Sequence, residues 1–245
     1  MLSVRALVLV FFVYLSRDIA ACKDSYECGT TDPCDGTCDK LFKFMVESRP
    51  RGFTGWAVRH PSLTQHYEKF GCKVCIEIGV ARGELAYHLM KSVPSIEEYH
   101  AVDPFLGGYD TNDAMSQLLS SVNSSQAWKE AILRVQGEFG CKFRLHYGLS
   151  SAVAHHFPPN SVDCLFIDGD HTFEGVTRDL FWYAPSVRPG GYILFDDVSR
   201  QFPGVVKALD NLEKNNGLIV HQINRHNNYY VQKPLSNATL ILDKP

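Results

Sequence analysis

The sequence has no basic excess, no long run of like charges and no long apolar segment beyond its N-terminus. Its 245 residues include 24 Lys and Arg and 27 Asp and Glu, which gives a net charge of −3. Nucleic-acid-binding domains carry a basic excess or stripe, so this composition argues against a nucleic-acid partner. Internal repeats and low-complexity segments are also missing. The length and the 45% hydrophobic content therefore predict one globular domain with a short appendage.

The first 21 residues have the pattern of a signal peptide. A short basic start precedes an apolar run of ten residues at 6–15, and Ala20 and Ala21 supply a small-residue exit. A membrane-spanning helix needs about 20 apolar residues, so the run is interpreted as a signal peptide cleaved after Ala20 or Ala21. An uncleaved short anchor is the alternative. Both interpretations predict a protein that is secreted or held in the lumen of the secretory pathway.

A cysteine-rich segment at residues 22–48 follows the predicted signal peptide. Its four cysteines are Cys22, Cys28, Cys34 and Cys38. In an exported protein this density predicts disulfides. A zinc site is the alternative, and the absence of histidine among these cysteines argues against it. Two sequons, at Asn123 and Asn237, are weak further indications of export and glycosylation.

The remaining four cysteines lie near predicted strands. Cys75 and Cys164 fall within buried-looking strands and are interpreted as core thiols. Cys72 and Cys141 precede strands and are candidates for disulfide pairing, with partners that the sequence does not identify.

A regular alternation of strands and helices begins at residue 73, after a predicted loop at 49–61. Apolar segments that end in glycine or aspartate predict five strands, at residues 74–78, 99–102, 143–147, 164–167 and 192–195. Helical spacing between them predicts a mostly parallel sheet covered on both faces. The last two predicted strands, at 218–223 and 229–232, have no helix between them and indicate an antiparallel hairpin.

The loop after the first predicted strand reads E-I-G-V-A-R-G, residues 77–83. Its G-x-x-x-G spacing differs from the G-x-G-x-x-G of dinucleotide sites, so a pyrophosphate cradle is not indicated. Glu77, two positions before Gly79, suits a cationic, amine-bearing ligand. Asp103 ends the second strand, where a carboxylate can accept the ribose hydroxyls of an adenosine. A tight turn and a helix-capping aspartate are the alternative interpretations.

Three aspartates, Asp168, Asp196 and Asp197, are predicted to converge at the tips of neighbouring strands. Carboxylates at such short distances repel one another unless a cation lies between them. Oxygen ligands in that number suit a hard divalent ion such as Mg²⁺. His171 lies on the loop of Asp168 and is a candidate general base, because imidazole titrates near neutral pH. Aspartates that cap helices are the alternative interpretation.

Four segments together resemble the ordered motifs of class I S-adenosylmethionine-dependent methyltransferases. They are VCIEIGVARG (74–83), AVDP (101–104), LFIDGDHTFE (165–174) and PGGYILFDD (189–197). The pairing of IDGDHTFE with the later FDD is similar to the subgroup of macrocin and mycinamicin sugar O-methyltransferases and cephalosporin-hydroxylase-like proteins. The final hairpin also favours a methyltransferase over a dehydrogenase. The resemblance spans about residues 72–232.

The resemblance implies a Rossmann-like, doubly wound, mostly parallel seven-stranded sheet with an antiparallel C-terminal strand, over residues 49–245. It also implies roles for individual side chains. The residues that would contact S-adenosylmethionine are Glu77, Gly79, Gly83, Asp103 and Asp168. The residues that would bind Mg²⁺ are Asp168, Asp196 and Asp197. His171 would be the catalytic base.

The methyl acceptor is predicted from a residue that catechol-type enzymes have and this segment of the sequence lacks. Catechol-type enzymes use a lysine near the loop of Asp168, and no lysine occurs between residues 143 and 206. This favours an alcohol over a phenol. The sequence thus predicts a magnesium-assisted O-methyltransferase for a sugar, glycan or other vicinal diol, with a small-molecule or glycan partner. A secreted binding protein without catalysis is the alternative, and a nicotinamide oxidoreductase is less favoured.

Overall fold

The computed structural model of the protein describes residues 56–107, 116–117, 122–236 and 239–243. The predicted signal peptide at 1–21, the cysteine-rich segment at 22–48 and the sequon residue Asn237 lie outside this part of the chain. These three features therefore stay predictions. None of the helices that the structure describes has the length and apolar character needed to cross a membrane.

A mixed sheet forms the centre of the described part of the chain. Its strands are β1 (Val74–Ile78), β2 (Glu98–Asp103), β3 (Phe143–Tyr147), β4 (Val162–Ile167), β5 (Val187–Phe195), β6 (His221–Gln222) and β7 (Tyr229–Gln232). Their spatial order is β3-β2-β1-β4-β5-β7-β6. The first five strands pair in parallel, and β7 runs antiparallel to both β5 and β6. The predicted Rossmann-like α/β fold is confirmed.

Helices cover both faces of this sheet. They are α1 (Trp56–Phe70), α2 (Glu84–Ser92), α3 (Val122–Phe139), α4 (Ser150–Val153), α5 (Phe173–Tyr183) and α6 (Pro203–Asn216). Helices α1 to α3 pack in one apolar cluster, and α4 to α6 pack in a second cluster on the other face. Because both faces are covered, β1 is almost entirely apolar. Cys75 packs in the first cluster and Ile76 in the second.

Helix α1 corrects the loop predicted at 49–61. The helix begins at Trp56 and contains Pro61, which lacks a backbone donor and costs about 3 kcal/mol in a helix interior. Leu63, Tyr67 and Phe70 recur at helical spacing and are all buried in the first cluster. Their burial stabilises the helix by about 1.5–3 kcal/mol for each large side chain, which outweighs the cost of the proline.

The cysteines on the sheet correct a second prediction. Cys72 and Cys164 form a disulfide, with their Cα atoms 5.8 Å apart, so the interpretation of Cys164 as a free core thiol is wrong. The sheet order places β4 beside β1, which brings Cys164 within disulfide distance of Cys72, two residues before β1. Cys141 is also disulfide-bonded. Cys75 is free and buried, as predicted.

Candidate active site

A cavity of about 350 Å³ opens at the carboxyl ends of β1, β2 and β4. Ligands in open α/β sheets bind at the carboxyl ends of the strands, next to the position where the connections from two neighbouring strands run to opposite sides of the sheet. Six of the predicted site residues line the cavity: Glu77, Gly79, Asp103, Asp168, His171 and Asp197. Gly83 and Asp196 are not among its lining residues. The fold therefore brings most, but not all, of the predicted residues to one place.

Gly79 makes the close approach between the first loop and the loop after β4. Its φ is +85°, and a Cβ atom at this position would collide with the backbone of Asp168 and Gly169. Only glycine fits there without strain. Gly83 also has a positive φ of +76°, but a Cβ atom there would meet Ile132 of α3. Gly83 thus begins α2 and packs against a neighbouring helix, and its contact with a cofactor stays a prediction.

Asp103 ties the first loop to the end of β2 through backbone hydrogen bonds. Its Oδ2 accepts from the amides of Val80 at 2.8 Å and Ala81 at 3.0 Å, and its Oδ1 accepts from Phe105 N at 2.6 Å. Burial raises the pKa of Asp103, and these hydrogen bonds oppose that rise. A carboxylate offers about four acceptor positions. The three amides fill three of these positions, which leaves one acceptor position, on Oδ1, for a ligand donor.

Glu77 is a buried carboxylate at the wall of the cavity. Its Oε2 accepts a hydrogen bond of 2.7 Å from the hydroxyl of Tyr99. Burial, together with this carboxylate, holds the pKa of Tyr99 well above its usual range, so the phenol stays a donor. The carboxylate carries a negative charge at the cavity, where a ligand ammonium group could pair with it.

Asp168, His171 and Asp197 form a cluster at the tips of β4 and β5. One ligand atom of each lies within 4.8 Å of the others. The His171 Nε2 atom is 3.4 Å from Asp168 Oδ1 and 3.6 Å from Asp197 Oδ2. The imidazole is buried and packs against Phe202, with ring centroids 4.5 Å apart. The cluster thus places one proton acceptor, the imidazole, beside two carboxylates at the cavity.

Asp196 is not part of this cluster. It is 1% exposed, and its Oδ1 accepts hydrogen bonds from Asn228 Nδ2 at 2.6 Å and from the Asp197 amide at 2.8 Å. The cluster therefore offers two carboxylates and one imidazole where three carboxylates were predicted. This donor set fits a divalent cation. Its nitrogen donor suits Mn²⁺, Fe²⁺ or Zn²⁺ as well as Mg²⁺, and the assignment of Asp196 as a ligand stays a prediction.

The sequence profile of the methyltransferase domain family matches residues 76–198. This segment is half of the chain and contains the whole edge of the sheet that carries the cavity. The chain belongs to the methyltransferase domain family. The predicted enzyme class is thus confirmed at the level of this family, and the interpretation as a nicotinamide oxidoreductase is set aside.

Several solved methyltransferases share the fold of this one. An O-methyltransferase of Bacillus cereus in complex with SAH is 15% identical, with a TM-score of 0.56 over 86% of this chain and 96% of that one. The tomaymycin-synthesis O-methyltransferase TomG of Streptomyces achromogenes, in complex with SAM, is 12% identical, with a TM-score of 0.56 over 89% and 96%. A SAH-bound methyltransferase of Podospora anserina is 13% identical, with a TM-score of 0.57 over 90% and 94%.

A curated relative is similar over a shorter stretch. An uncharacterised protein of Acanthamoeba polyphaga mimivirus is 45% identical over 56 residues. The matched stretch covers 22% of this methyltransferase and 25% of the viral protein. The match therefore carries no information on the activity of either whole protein.

Sequence reasoning missed one functional candidate, Asp179 on α5. It lines the cavity, is 2% exposed, and accepts a hydrogen bond of 2.5 Å from Ser150 Oγ. Burial raises the pKa of Asp179 to about 7. A signal was present, because Asp179 lies on the same helix face as Val176 and Tyr183, which are buried. A charged residue on an apolar helix face needs a partner.

Proposed function

We propose that this methyltransferase transfers the methyl group of S-adenosylmethionine to a hydroxyl of a sugar, a glycan or another vicinal diol, with the help of Mg²⁺, in the secretory pathway. The observation that carries the proposal is the position of His171 between two carboxylates at the cavity. The structural relatives described as O-methyltransferases, with bound SAM or SAH, support the cofactor and the transfer to oxygen. The signal-peptide pattern supports the compartment.

The cofactor would lie across the ends of the strands. Its ammonium group would pair with Glu77, its methionine part would follow the backbone at Gly79, and a ribose hydroxyl would donate to the open position on Asp103 Oδ1. Gly79 has no side chain and admits the ligand to the backbone. This placement directs the sulfonium methyl towards Asp168 and His171, which line the same cavity.

The reaction is an in-line displacement at the methyl carbon. The acceptor oxygen forms a bond to that carbon while the carbon–sulfur bond breaks, which leaves S-adenosylhomocysteine. The hydroxyl proton passes to His171 Nε2, which acts here as the base and not as a cation ligand. A divalent cation held by the carboxylates of Asp168 and Asp197 would supply Lewis-acid stabilisation of charge on the acceptor. An alcohol needs this assistance more than a phenol does, because its hydroxyl is less acidic.

The acceptor can be identified with the full chain and a methyl-labelled cofactor. We would incubate both with a panel of sugars, glycans and simple diols and follow the label by mass spectrometry. Transfer to a diol, but not to the matching compound with one hydroxyl removed, would support the proposal. Label on nitrogen, or on single-hydroxyl compounds at equal rates, would contradict it. Parallel reactions with Mg²⁺, Mn²⁺ and chelator would show which cation the cluster uses.

A further inference from the structure

Asn228 lies beside the turn that carries two of the predicted site residues. The antiparallel pairing of β5 and β7 places Tyr229 opposite Phe195, so the next step along both segments brings Asn228 next to Asp196. Asn228 is 0% exposed. Asparagine is mostly exposed in folded proteins, and a buried amide needs hydrogen-bond partners to offset its lost hydration. The sheet register therefore places a buried polar side chain at the end of β5.

The side chain of Asn228 and the backbone of Asp197 donate to the same carboxylate oxygen. Asp196 Oδ1 accepts from Asn228 Nδ2 at 2.6 Å and from Asp197 N at 2.8 Å. The backbone amide of Asp196 donates to the carbonyl of Ile167, the last residue of β4, at 3.1 Å. Hydrogen bonds to a carboxylate are among the stronger ones in proteins. Asp196 thus connects the loop before β7 to the ends of both β4 and β5.

The backbone of Asp197 has a conformation that its neighbours must support. Its φ is +54°, in the left-handed region that residues other than glycine adopt at an energetic cost. Val198 N donates to Asn227 O at 3.1 Å, so the loop before β7 holds the residues on both sides of Asp197. In this conformation Asp197 Oδ2 lies 3.6 Å from His171 Nε2. The turn therefore sets where the Asp197 carboxylate lies in the cavity.

A second asparagine fixes the orientation of the Asn228 amide. Asn224 Oδ1 accepts from the backbone amide of His226 at 2.8 Å, which leaves Asn224 Nδ2 as the donor. This nitrogen donates to Asn228 Oδ1 at 2.8 Å and to Ser62 Oγ of α1 at 2.9 Å. Because its carbonyl oxygen accepts from Asn224, Asn228 directs its nitrogen to Asp196. A chain of hydrogen bonds thus runs from α1 to the turn at Asp197.

We propose that Asn228 is a positioning residue, which holds Asp196 so that the turn presents the carboxylate of Asp197 to the divalent cation. The inference rests on the proposed function, because it takes Asp168 and Asp197 as the residues that hold this cation. Residues that orient the ligands of a metal ion typically contribute tenfold to hundredfold to metal affinity or activity. Asn228 would act through Asp196 and the backbone, without contact with the cofactor or the acceptor.

The first test compares Asn228→Ala with Asn211→Ala in the full-length protein. Asn211 Nδ2 also donates to a carboxylate, Asp243 Oδ2, at 2.7 Å, but neither residue lines the cavity. Calorimetry would measure binding of Mn²⁺ and of S-adenosylhomocysteine. Asn228→Ala should weaken Mn²⁺ binding by about tenfold or more and leave the affinity for S-adenosylhomocysteine within about threefold of the wild type. Asn211→Ala should change neither affinity.

Hydrogen exchange followed by NMR tests the positioning itself, without added cation. Asn228→Ala should speed exchange of the Asp197 amide, because Asp196 Oδ1 would lose the donor that holds it in place. The amides of Val80 and Ala81 in the first loop should keep their wild-type exchange rates. Equal protection of the Asp197 amide in the wild type and the variant would contradict the proposal.

A double variant exchanges the two partners and keeps the hydrogen bond between them. Asn228→Asp alone should weaken Mn²⁺ binding at least as much as Asn228→Ala, because two carboxylates would then face each other. Adding Asp196→Asn restores a donor and an acceptor and should recover part of the affinity. A general loss of stability would not produce this recovery. Absence of recovery would overturn the proposal, even if Asn228→Ala fails to fold.

The outcomes separate this inference from the proposed function. Wild-type protein that binds no Mn²⁺ and methylates no acceptor would overturn the proposed function and, with it, the role of Asn228. Wild type and Asn228→Ala that bind Mn²⁺ equally well would overturn this inference alone. Equal weakening of Mn²⁺ and S-adenosylhomocysteine binding in Asn228→Ala would also contradict it, because the whole cavity would then depend on this residue.

Discussion

The two halves of the cavity are built in different ways. The half that we propose for the cofactor, the cofactor half, comprises Glu77, Gly79 and Asp103 and is fixed largely through the backbone, because Asp103 accepts three amide hydrogen bonds. The half that we propose for the reaction, the reaction half, comprises Asp168, His171 and Asp197, whose side chains lie 3.4–3.6 Å apart. Electrostatic interactions between side chains therefore matter more in the reaction half than in the cofactor half. We therefore expect cofactor binding to survive changes that abolish methyl transfer.

The largest expected effect is that of His171→Ala, which should change the reaction half and leave the cofactor half intact. His171→Ala should lower the rate of methyl transfer by on the order of 100- to 10,000-fold, because the acceptor proton loses its base. The affinity for S-adenosylmethionine should stay the same, since the cofactor half is untouched. Single-turnover rates and calorimetry would measure the two quantities, and the rate should recover partly at high pH.

His155→Ala is the matched control, because His155 is exposed and lies outside the cavity. It should leave both quantities unchanged. A near-normal rate in His171→Ala would place the base elsewhere. Loss of cation binding in the same variant would identify the imidazole as a ligand.

Gly79→Ala should damage the contact between the two halves. The methyl group would require a strained φ of +85° and would collide with the backbone at Asp168. We expect the free energy of unfolding to fall by about 2–4 kcal/mol, as measured by chemical denaturation. Gly217→Ala is the control, because φ is +60° there and no atom lies within 4 Å of the added carbon. It should cost about 1–2 kcal/mol, and equal losses in the two variants would remove the steric argument.

Asp103→Ala should weaken the cofactor half alone. The variant loses an acceptor for the ribose and the hydrogen bonds that hold the first loop. We expect the affinity for S-adenosylhomocysteine to fall by about 1.5–3 kcal/mol. Calorimetry would measure it. Unchanged affinity would show that the ribose lies elsewhere.

The smallest effect concerns a histidine pair far from the reaction half. His100 Nδ1 and His146 Nε2 lie 2.9 Å apart. Burial lowers the pKa of His100, and burial together with neighbouring histidines and Arg144 lowers that of His146 to about 4. The unfolded chain therefore binds protons near pH 6.5 that the folded chain does not bind until about pH 4. This pair should destabilise the protein as the pH falls through that window.

His146→Asn isolates this contribution. Asp179 acts in the opposite direction, because its raised pKa of about 7 makes the folded state bind more protons than the unfolded state as the pH falls. Measurements on the wild type alone would give only the sum of these two opposing effects on the unfolding free energy. Between pH 6.5 and 4 we expect His146→Asn to lose less unfolding free energy than the wild type, by on the order of 1 kcal/mol. His155→Asn should show the wild-type profile, and parallel profiles for all three proteins would refute the prediction.

The sequence predicted strand bounds best where the strand is flanked on both sides by polar or glycine residues. The predicted strands at 74–78, 143–147 and 229–232 have the same bounds in the structure. The first half of helix α1 was missed because Pro61 favours a loop locally, whereas the helix is stabilised by side chains buried against the sheet. The Cys72–Cys164 disulfide depends on which strands are neighbours, and local patterns do not contain that information.

The candidate site was also predicted only in part, because some of its residues reach the cavity through tertiary contacts that local patterns do not contain. Glu77, Gly79 and Asp103 occupy fixed positions at strand ends, so the motif spacing was enough to bring them to the cavity. The chain leaves β5 after Phe195, and Asp197 has a left-handed backbone with a φ of +54°, so the surroundings of Asp196 and Asp197 could not be predicted from a regular strand pattern. Asp197 lines the cavity, whereas Asp196 is buried against Asn228. Asp179 was missed because it reaches the cavity from a helix face, through the tertiary contact with Ser150.

The most direct test of the two-half account measures binding and turnover in the same sample with and without a divalent cation. The wild type would be treated with excess chelator, and both cofactor affinity and single-turnover methyl transfer would be recorded. We predict unchanged affinity, a rate reduced by on the order of 100-fold or more, and recovery of the rate when Mg²⁺ is restored. Turnover that is equally fast in chelator would contradict the account, because the carboxylates of Asp168 and Asp197 would then work without a cation.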